Sequence, residues 1–178
     1  MNSRPDTRDV VELSVLVADK LELDEHERRR VELAALLHDV GHMAIPSEIL
    51  NKPGPLTDEE WELMRTHTVR GQVLLEKAGG GLCEIGTIVR ASHEHWDGSG
   101  YPDGLSGPAI PLAARIVSCC DALSAMTTER PYRLPMSQEV ALRELVDSAG
   151  TQFDPHIVKT LVAVVRQSVI AVPPALTR

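Results

Sequence analysis

The stretch 113–126 limits most severely what this chain can become. It contains Ile116-Val117-Ser118-Cys119-Cys120-Asp121-Ala122-Leu123, apolar on nearly every face of a helix and carrying one carboxylate. A helix that is apolar all round must be enclosed by other elements, and the rest of the sequence offers them. Val10, Leu13, Val17 and Leu21 fall at helical spacing over residues 8–21. Asp24 followed by Glu27 has the form of a capping box, opening a helix through Val31, Ala34, Ala35 and Leu37 that stops near Gly41. Thr57 and Glu60 repeat that pattern for a helix running towards Arg65, and Leu74 and Leu75 continue a helix that fails at Gly79-Gly80-Gly81. Further helices are predicted over 84–94, with Ile85, Ile88 and Val89 inward, and over 138–147 and 155–167. No segment alternates as a strand would, and aromatic residues are only 3% of the chain, fewer than sheet proteins normally use. The reading is all-α, a single domain over 1–178, with 1–8 and 171–178 as flexible ends.

The 178 residues are ample for one core. No apolar run approaches the roughly 20 residues needed to cross a bilayer. The first nine residues are polar and carry both charge signs, unlike a signal peptide. A net charge of −8 repels phosphate backbones, which argues against a nucleic-acid polymer as partner. An anionic substrate would need a local positive source, and a bound metal is one candidate. Cys83, Cys119 and Cys120 make no paired framework, so the reducing cytoplasm is the simplest compartment.

Four separate segments place a histidine or aspartate beside an apolar helix: His38-Asp39, His67, His93 and Asp121. Adjacent helical residues point about 100° apart, but at a helix terminus His38 and Asp39 can turn onto one centre. Alone, the pair also suits a helix C-terminus, where histidine gains from the dipole. An ionised Asp121 inside the apolar helix needs a partner, since burying it alone costs several kcal/mol. Arg115, Arg130, a wet face or a metal would each serve. His67 and His93 are predicted at interior or end positions of helices, where a hydrogen-bonded core histidine is the alternative to a ligand. Imidazole mixed with carboxylate suits iron, manganese or zinc, and the absence of cysteine from the set argues against structural zinc. The stretch 96–111, dense in Gly, Pro and Asp, is longer than ordinary connections, and such loops are usually functional.

Several ordered motifs now coincide. His38-Asp39-Val40-Gly41, Ile45-Pro46, Ile49-Leu50-Asn51-Lys52-Pro53-Gly54 and Leu56-Thr57 are followed by His93-Glu94 and by Trp96-Asp97-Gly98-Ser99-Gly100-Tyr101-Pro102-Asp103-Gly104-Leu105. Ile110-Pro111-Leu112, Ala114-Arg115-Ile116, Arg130-Pro131-Tyr132-Arg133 and Gly150-Thr151-Gln152-Phe153-Asp154-Pro155 complete the series. Together they resemble the HD-GYP branch of the HD phosphohydrolase superfamily over nearly the whole chain.

That resemblance implies a helical bundle with the Gly/Pro-rich loop beside a metal site. It implies a phosphodiesterase that opens cyclic di-GMP to pGpG or GMP, with two iron or manganese ions per chain, zinc being possible. His38, Asp39 and Asp121 would hold the first metal, with Asp6 at the position of a family histidine; Asp39, His67 and His93 would hold the second. Two cations about 3.5–4 Å apart can lower the pKa of a shared water and clamp an in-line displacement at phosphorus. Tyr101 and Pro102 would lie against the substrate, and Arg130 and Arg133 would fork onto phosphate oxygens. The loop Gly100-Tyr101-Pro102 would also be the docking point for a diguanylate-cyclase-type protein.

Four positions depart from the family pattern: Asp6 for histidine, His42 for the lysine after His-Asp-x-Gly, Ser92 for the first of two histidines, and Ser124 for a second aspartate. His42 is thereby a catalytic candidate with only partial charge towards phosphate. A hydrolase of another phosphoester, and a weakened nucleotide-binding or protein-interaction module, are the alternatives.

Overall fold

A computed structural model of the chain describes residues 7–129 and 134–170. Among them are nine α-helices: α1 (Thr7–Lys20), α2 (Glu25–Leu37), α3 (Ser47–Leu50), α4 (Asp58–Arg65), α5 (His67–Ala78), α6 (Leu82–Arg90), α7 (Leu112–Thr127), α8 (Gln138–Asp147) and α9 (Pro155–Ile170). Short 3₁₀ turns lie at Val40–Ala44 and Gly107–Ala109. No strand occurs among the described residues, and an isolated backbone bridge joins Ala149 to Phe153. The all-α expectation holds.

Helix α7 is the axle. It packs against α1, α2, α6, α8 and α9, which is why nearly every face of it is apolar. Ala114, Ile116, Cys119 and Cys120 are fully enclosed, and Val117 is nearly so. Each buried aliphatic side chain of this size contributes roughly 1.5–3 kcal/mol. The same cluster takes in Val10 and Val17 from α1, Val31 from α2, Ile85 and Ile88 from α6, Leu145 from α8, and Ile157 and Leu161 from α9. No helix among the described residues is long and apolar enough to cross a membrane.

Local chemistry sets the helix ends. Thr57 and Glu60 form the full reciprocal box: Glu60 N–H donates to Thr57 Oγ1 (3.3 Å), and Thr57 N–H donates to Glu60 Oε2 (2.7 Å). At α2 only one arm forms. Asp24 accepts from Glu27 N–H at 2.8 Å, while the Glu27 carboxylate pairs with Arg30. The helix predicted over 84–94 is shorter, ending at Arg90. Ala91 and Ser92 N–H fold back onto Ile88 and Val89 carbonyls, three residues behind each, and tighten the chain out of the helix. His93 therefore stands in the turn beyond α6 rather than within a helix.

The loop 96–111 is tied down along its length. Trp96 and Asp97 N–H donate to Gln152 and Thr151 carbonyls, Gly107 N–H to Trp96 O, and Tyr101 N–H to His93 O. Arg90 grips Asp103 with two forked bonds of 2.6 and 2.7 Å. Gly100 is packed so closely that a Cβ there would lie 2.2 Å from His95 N. The Tyr101–Pro102 peptide is cis.

Candidate metal centre

Five segments converge around Asp121 in the middle of α7. His38 is the C-cap of α2, and Asp39 has already left helical geometry (φ −95°, ψ 2°). This lets the two adjacent side chains approach one point: His38 Nε2 lies 3.6 Å from Asp39 Oδ1 and 3.7 Å from Asp121 Oδ1. His67 opens α5, and His93 follows α6. The rings of His67 and His93 meet edge to face with centroids 4.9 Å apart. The histidine and aspartate positions singled out on the described chain, namely His38, Asp39, His67, His93 and Asp121, are thus brought to one place with His42. Asp6, Arg130 and Arg133 lie outside the described residues.

The backbone fixes which nitrogen each imidazole offers. His38 Nδ1 is 2.8 Å from Ala35 O, and His67 Nδ1 is 2.8 Å from Met64 O. A carbonyl only accepts, so each Nδ1 carries the proton and each Nε2 presents a lone pair. A backbone carbonyl on the far nitrogen is the usual arrangement behind a metal-ligating histidine. His67 Nε2 is buried without a hydrogen-bond partner. One donor atom from each of Asp39, His42 and His67 lies within 4.8 Å of the other two. Imidazole and carboxylate donors with an orphaned buried nitrogen fit a divalent transition metal. Calcium and magnesium, which want oxygen cages, fit poorly.

Charge agrees with that fit. Burial would raise the Asp39 carboxyl, but the facing His42, His38 and His67 hold it well below the usual carboxylate range. Burial, with His42 alongside, pushes His67 down to about 4. Burial and His67 push His93 down to about 3. The carboxylate is ionised and these imidazoles are neutral across the physiological range, the protonation states a metal requires.

Asp121 does not use Arg115. That guanidinium donates to Ile110 O and to the buried Asp154, at 2.9 and 2.7 Å. Arg130 lies outside the described residues, and the part-exposed Asp121 carboxylate lies 3.7 Å from His38 Nε2.

The HD domain family model matches residues 2–157 of this chain. The chain belongs to the HD-domain family. Its Gly100-Tyr101-Pro102 triplet and flanking motifs put it in the HD-GYP branch. It is 44% identical over 147 residues to the cyclic di-GMP phosphodiesterase response regulator RpfG of Xanthomonas campestris pv. campestris, covering 82% of this chain and 39% of that one. To a cyclic di-GMP phosphodiesterase of Thermotoga maritima it is 38% identical over 160 residues, covering 89% and 44%. The chain thus spans less than half the length of these relatives. A crystal structure of a cyclic GMP-AMP specific phosphodiesterase of V. cholerae superposes with a TM-score of 0.72 at 22% identity, over 95% of this chain and 49% of that one. That likeness is one of fold.

Two residues of this HD domain escaped the sequence reading. Arg65, at the end of α4, lies over the face of Tyr101 with its guanidinium carbon 5.4 Å from the ring centroid. Tyr101 in turn stacks on His93, with centroids 5.2 Å apart and planes 3° from parallel. Glu94 is buried and accepts from Asp103 N–H (2.7 Å) and Leu105 N–H (3.0 Å), which clamps the Gly-Tyr-Pro loop against the centre. An exposed arginine carries no periodic signal. Glu94 stood beside His93 in a motif whose carboxylate had no visible task. Ser92, where the family has a histidine, donates its hydroxyl to Val89 O at 2.8 Å and is committed to the backbone.

Proposed function

We propose that this HD domain is a metal-dependent phosphodiesterase of cyclic dinucleotides, with cyclic di-GMP as substrate and the linear dinucleotide or GMP as product. The observation that carries the reading is the convergence of His38, Asp39, His67, His93 and Asp121 on one point, with His67 Nε2 buried and unpartnered. His38, Asp39 and Asp121 are assigned to one cation, and Asp39, His67 and His93 to a second; Asp6 remains a candidate for the first. Iron or manganese suits the mixed donors, and zinc is a further option. When bound, the cations supply a lowered pKa to water and positive charge at phosphorus. Asp39 would hold both through its ionised carboxylate. The backbone bonds of His38 and His67 orient their Nε2 atoms. Tyr101 walls the centre beside His93, and Pro102 follows it in the loop; Arg130 and Arg133 are assigned to the phosphates.

The names of the relatives support the substrate class, and the RpfG likeness favours cyclic di-GMP over mixed dinucleotides. The unit is taken as the whole of 1–178, in the cytoplasm, in keeping with the free cysteines. A diguanylate-cyclase-type partner at Gly100-Tyr101-Pro102 draws no support from the geometry, because Tyr101 is turned onto His93. The committed Ser92 hydroxyl favours one rival, a weakened domain that binds nucleotide without turning it over.

The test is anaerobic hydrolysis of cyclic di-GMP and 3′3′-cyclic GMP-AMP by protein loaded with Fe(II) or Mn(II), with metal content measured on the same sample. Turnover of cyclic di-GMP that vanishes in Asp39→Ala is the expected result. Tight binding of the dinucleotide with no turnover under any metal would instead establish the binding module.

A further inference from the structure

We propose that His42 is itself a protein ligand to the second cation, joining Asp39 and His67, and not a weakened substitute for a phosphate-binding lysine. The inference rests on the metallohydrolase reading above and deepens it. His42 sits in the 3₁₀ turn Val40–Ala44, and a close backbone approach brings that turn onto α5. A Cβ on Gly41 would lie 1.8 Å from His67 O and 2.7 Å from Gly71 N, so only glycine lets the two segments meet. With that contact made, the His42 ring lies parallel to His67, centroids 4.2 Å apart and planes 8° apart. His42 Nδ1 is then 3.1 Å from Asp39 Oδ1.

That nitrogen is buried, and the contact with Asp39 is not aligned as a hydrogen bond. His67 Nε2 is in the same condition. One donor atom from each of Asp39, His42 and His67 lies within 4.8 Å of the other two, and His42 Nδ1 and His67 Nε2 are both buried without an aligned hydrogen bond, His42 Nδ1 meeting only the Asp39 carboxylate. Buried polar atoms are ordinarily satisfied, and one left unpaired costs free energy. Two such atoms facing one carboxylate are accounted for together by one cation.

A phosphate-assisting role accounts for less. It would turn the side chain outward to meet an incoming anion, whereas the His42 side chain is 16% exposed and its Nδ1 faces Asp39. Ring stacking alone gives no reason for the nitrogens to converge on a carboxylate. The assignment also explains how the centre bears Ser92: its hydroxyl is spent on Val89 O, and the missing nitrogen is delivered from the other side, by the turn after α2. With His93, the second cation would be offered three histidines and one carboxylate, and imidazole donors suit iron or zinc.

The test uses the full chain, stripped of metal and titrated with Zn(II) while the ring nitrogens are followed by ¹⁵N NMR, with Co(II) absorption and metal content on variants. Binding of Zn(II) should displace the His42 Nδ1 resonance together with His67 Nε2. His42→Ala and His42→Lys should each weaken the second Co(II) equivalent at least tenfold while leaving helicity and the first equivalent in place. The proposal is overturned if the His42 nitrogens do not respond to Zn(II), or if His42→Lys binds two Co(II) as tightly as the parent. His67→Ala separates the two levels. If it loses a metal while His42→Ala does not, only the role of His42 fails; if neither variant loses metal, the centre itself is refuted. The ¹⁵N measurement on the unaltered chain decides the matter even where a variant does not fold.

Discussion

Arg65 shows what a single residue can add to a centre made of anions and neutral rings. Asp39 and Asp121 put part of the chain's net charge of −8 at the centre, and the proposed cyclic dinucleotide would arrive with two more negative charges. The Arg65 guanidinium, held over Tyr101 at the rim, offers a forked donor to phosphate. Arg65→Ala should raise KM for cyclic di-GMP by about tenfold, the scale of one charge-assisted hydrogen bond, with kcat changed less than threefold. Steady-state kinetics on the two proteins checks this, and an unchanged KM would remove Arg65 from the substrate's path. The two thiols of α7 make a different case. Burial pushes Cys120 up to about 12 and Cys119 higher still. In the unfolded chain both ionise near 9, so from about pH 9 to 12 the folded state holds more protons than the unfolded state. Stability from these groups is intact below pH 9 and falls as pH rises through that window. Urea unfolding at pH 8 and pH 10 should show a smaller loss for Cys119→Ala/Cys120→Ala than for the parent. Exposed Cys83 should be the one thiol that is rapidly alkylated in the native protein. His38, Asp39, His67, His93 and Asp121 were legible as residues because each pairs a donor type with an apolar helix. Arg65 and Glu94 were not, because their meaning lies in contacts with residues far along the chain, Tyr101 for one and the Asp103 and Leu105 amides for the other.

At the scale of elements, helices were easier to read than the breaks between them. Residues 138–147 matched α8 to the residue, because Ser137 caps one end, accepting from Val140 N–H, and the apolar period is clean. The end of α6 was misplaced by four residues, since nothing local marks Arg90 as the last helical residue. The stop is imposed from outside, by the loop that Glu94 and Arg90 hold. The 3₁₀ turn Val40–Ala44 was equally hidden. Gly41 reads in sequence as a helix stop, whereas its larger task is to let the turn touch α5. Gly41→Ala places a methyl group against backbone atoms that cannot rotate away. The cost should be about 3 kcal/mol or more, above the usual range for overpacking because no flexible side chain absorbs it. A shift of the urea midpoint without change of slope would report it. Because the turn carries His42 towards His67, the same variant should also bind metal more weakly than its loss of stability alone explains. A Gly41→Ala protein as stable as the parent would mean the turn and α5 can separate without consequence.

For the whole molecule, the centre is a clasp as well as a site. Its donors come from the end of α2, the turn after it, the start of α5, the turn after α6, and α7, segments up to 83 positions apart (His38 to Asp121). No short stretch of the unfolded chain reproduces that set, so a divalent metal held by these donors would bind the native state almost exclusively. Linkage then makes each bound ion a contribution to folding: at a free metal concentration of 100 times Kd it is about 2.7 kcal/mol. For a chain of this length 1 kcal/mol moves the melting temperature by roughly 2–4 °C. Saturating Mn(II) should therefore raise Tm by about 5–10 °C over the chelated protein. The gain should grow with the logarithm of metal concentration, and Asp39→Ala should abolish most of it because that carboxylate faces both groups of donors. Differential scanning calorimetry with and without chelator gives the answer. A Tm that ignores metal while hydrolysis depends on it would show that the donors open without loosening the bundle. In that case α7 and its apolar neighbours, rather than the ions, hold the five segments together.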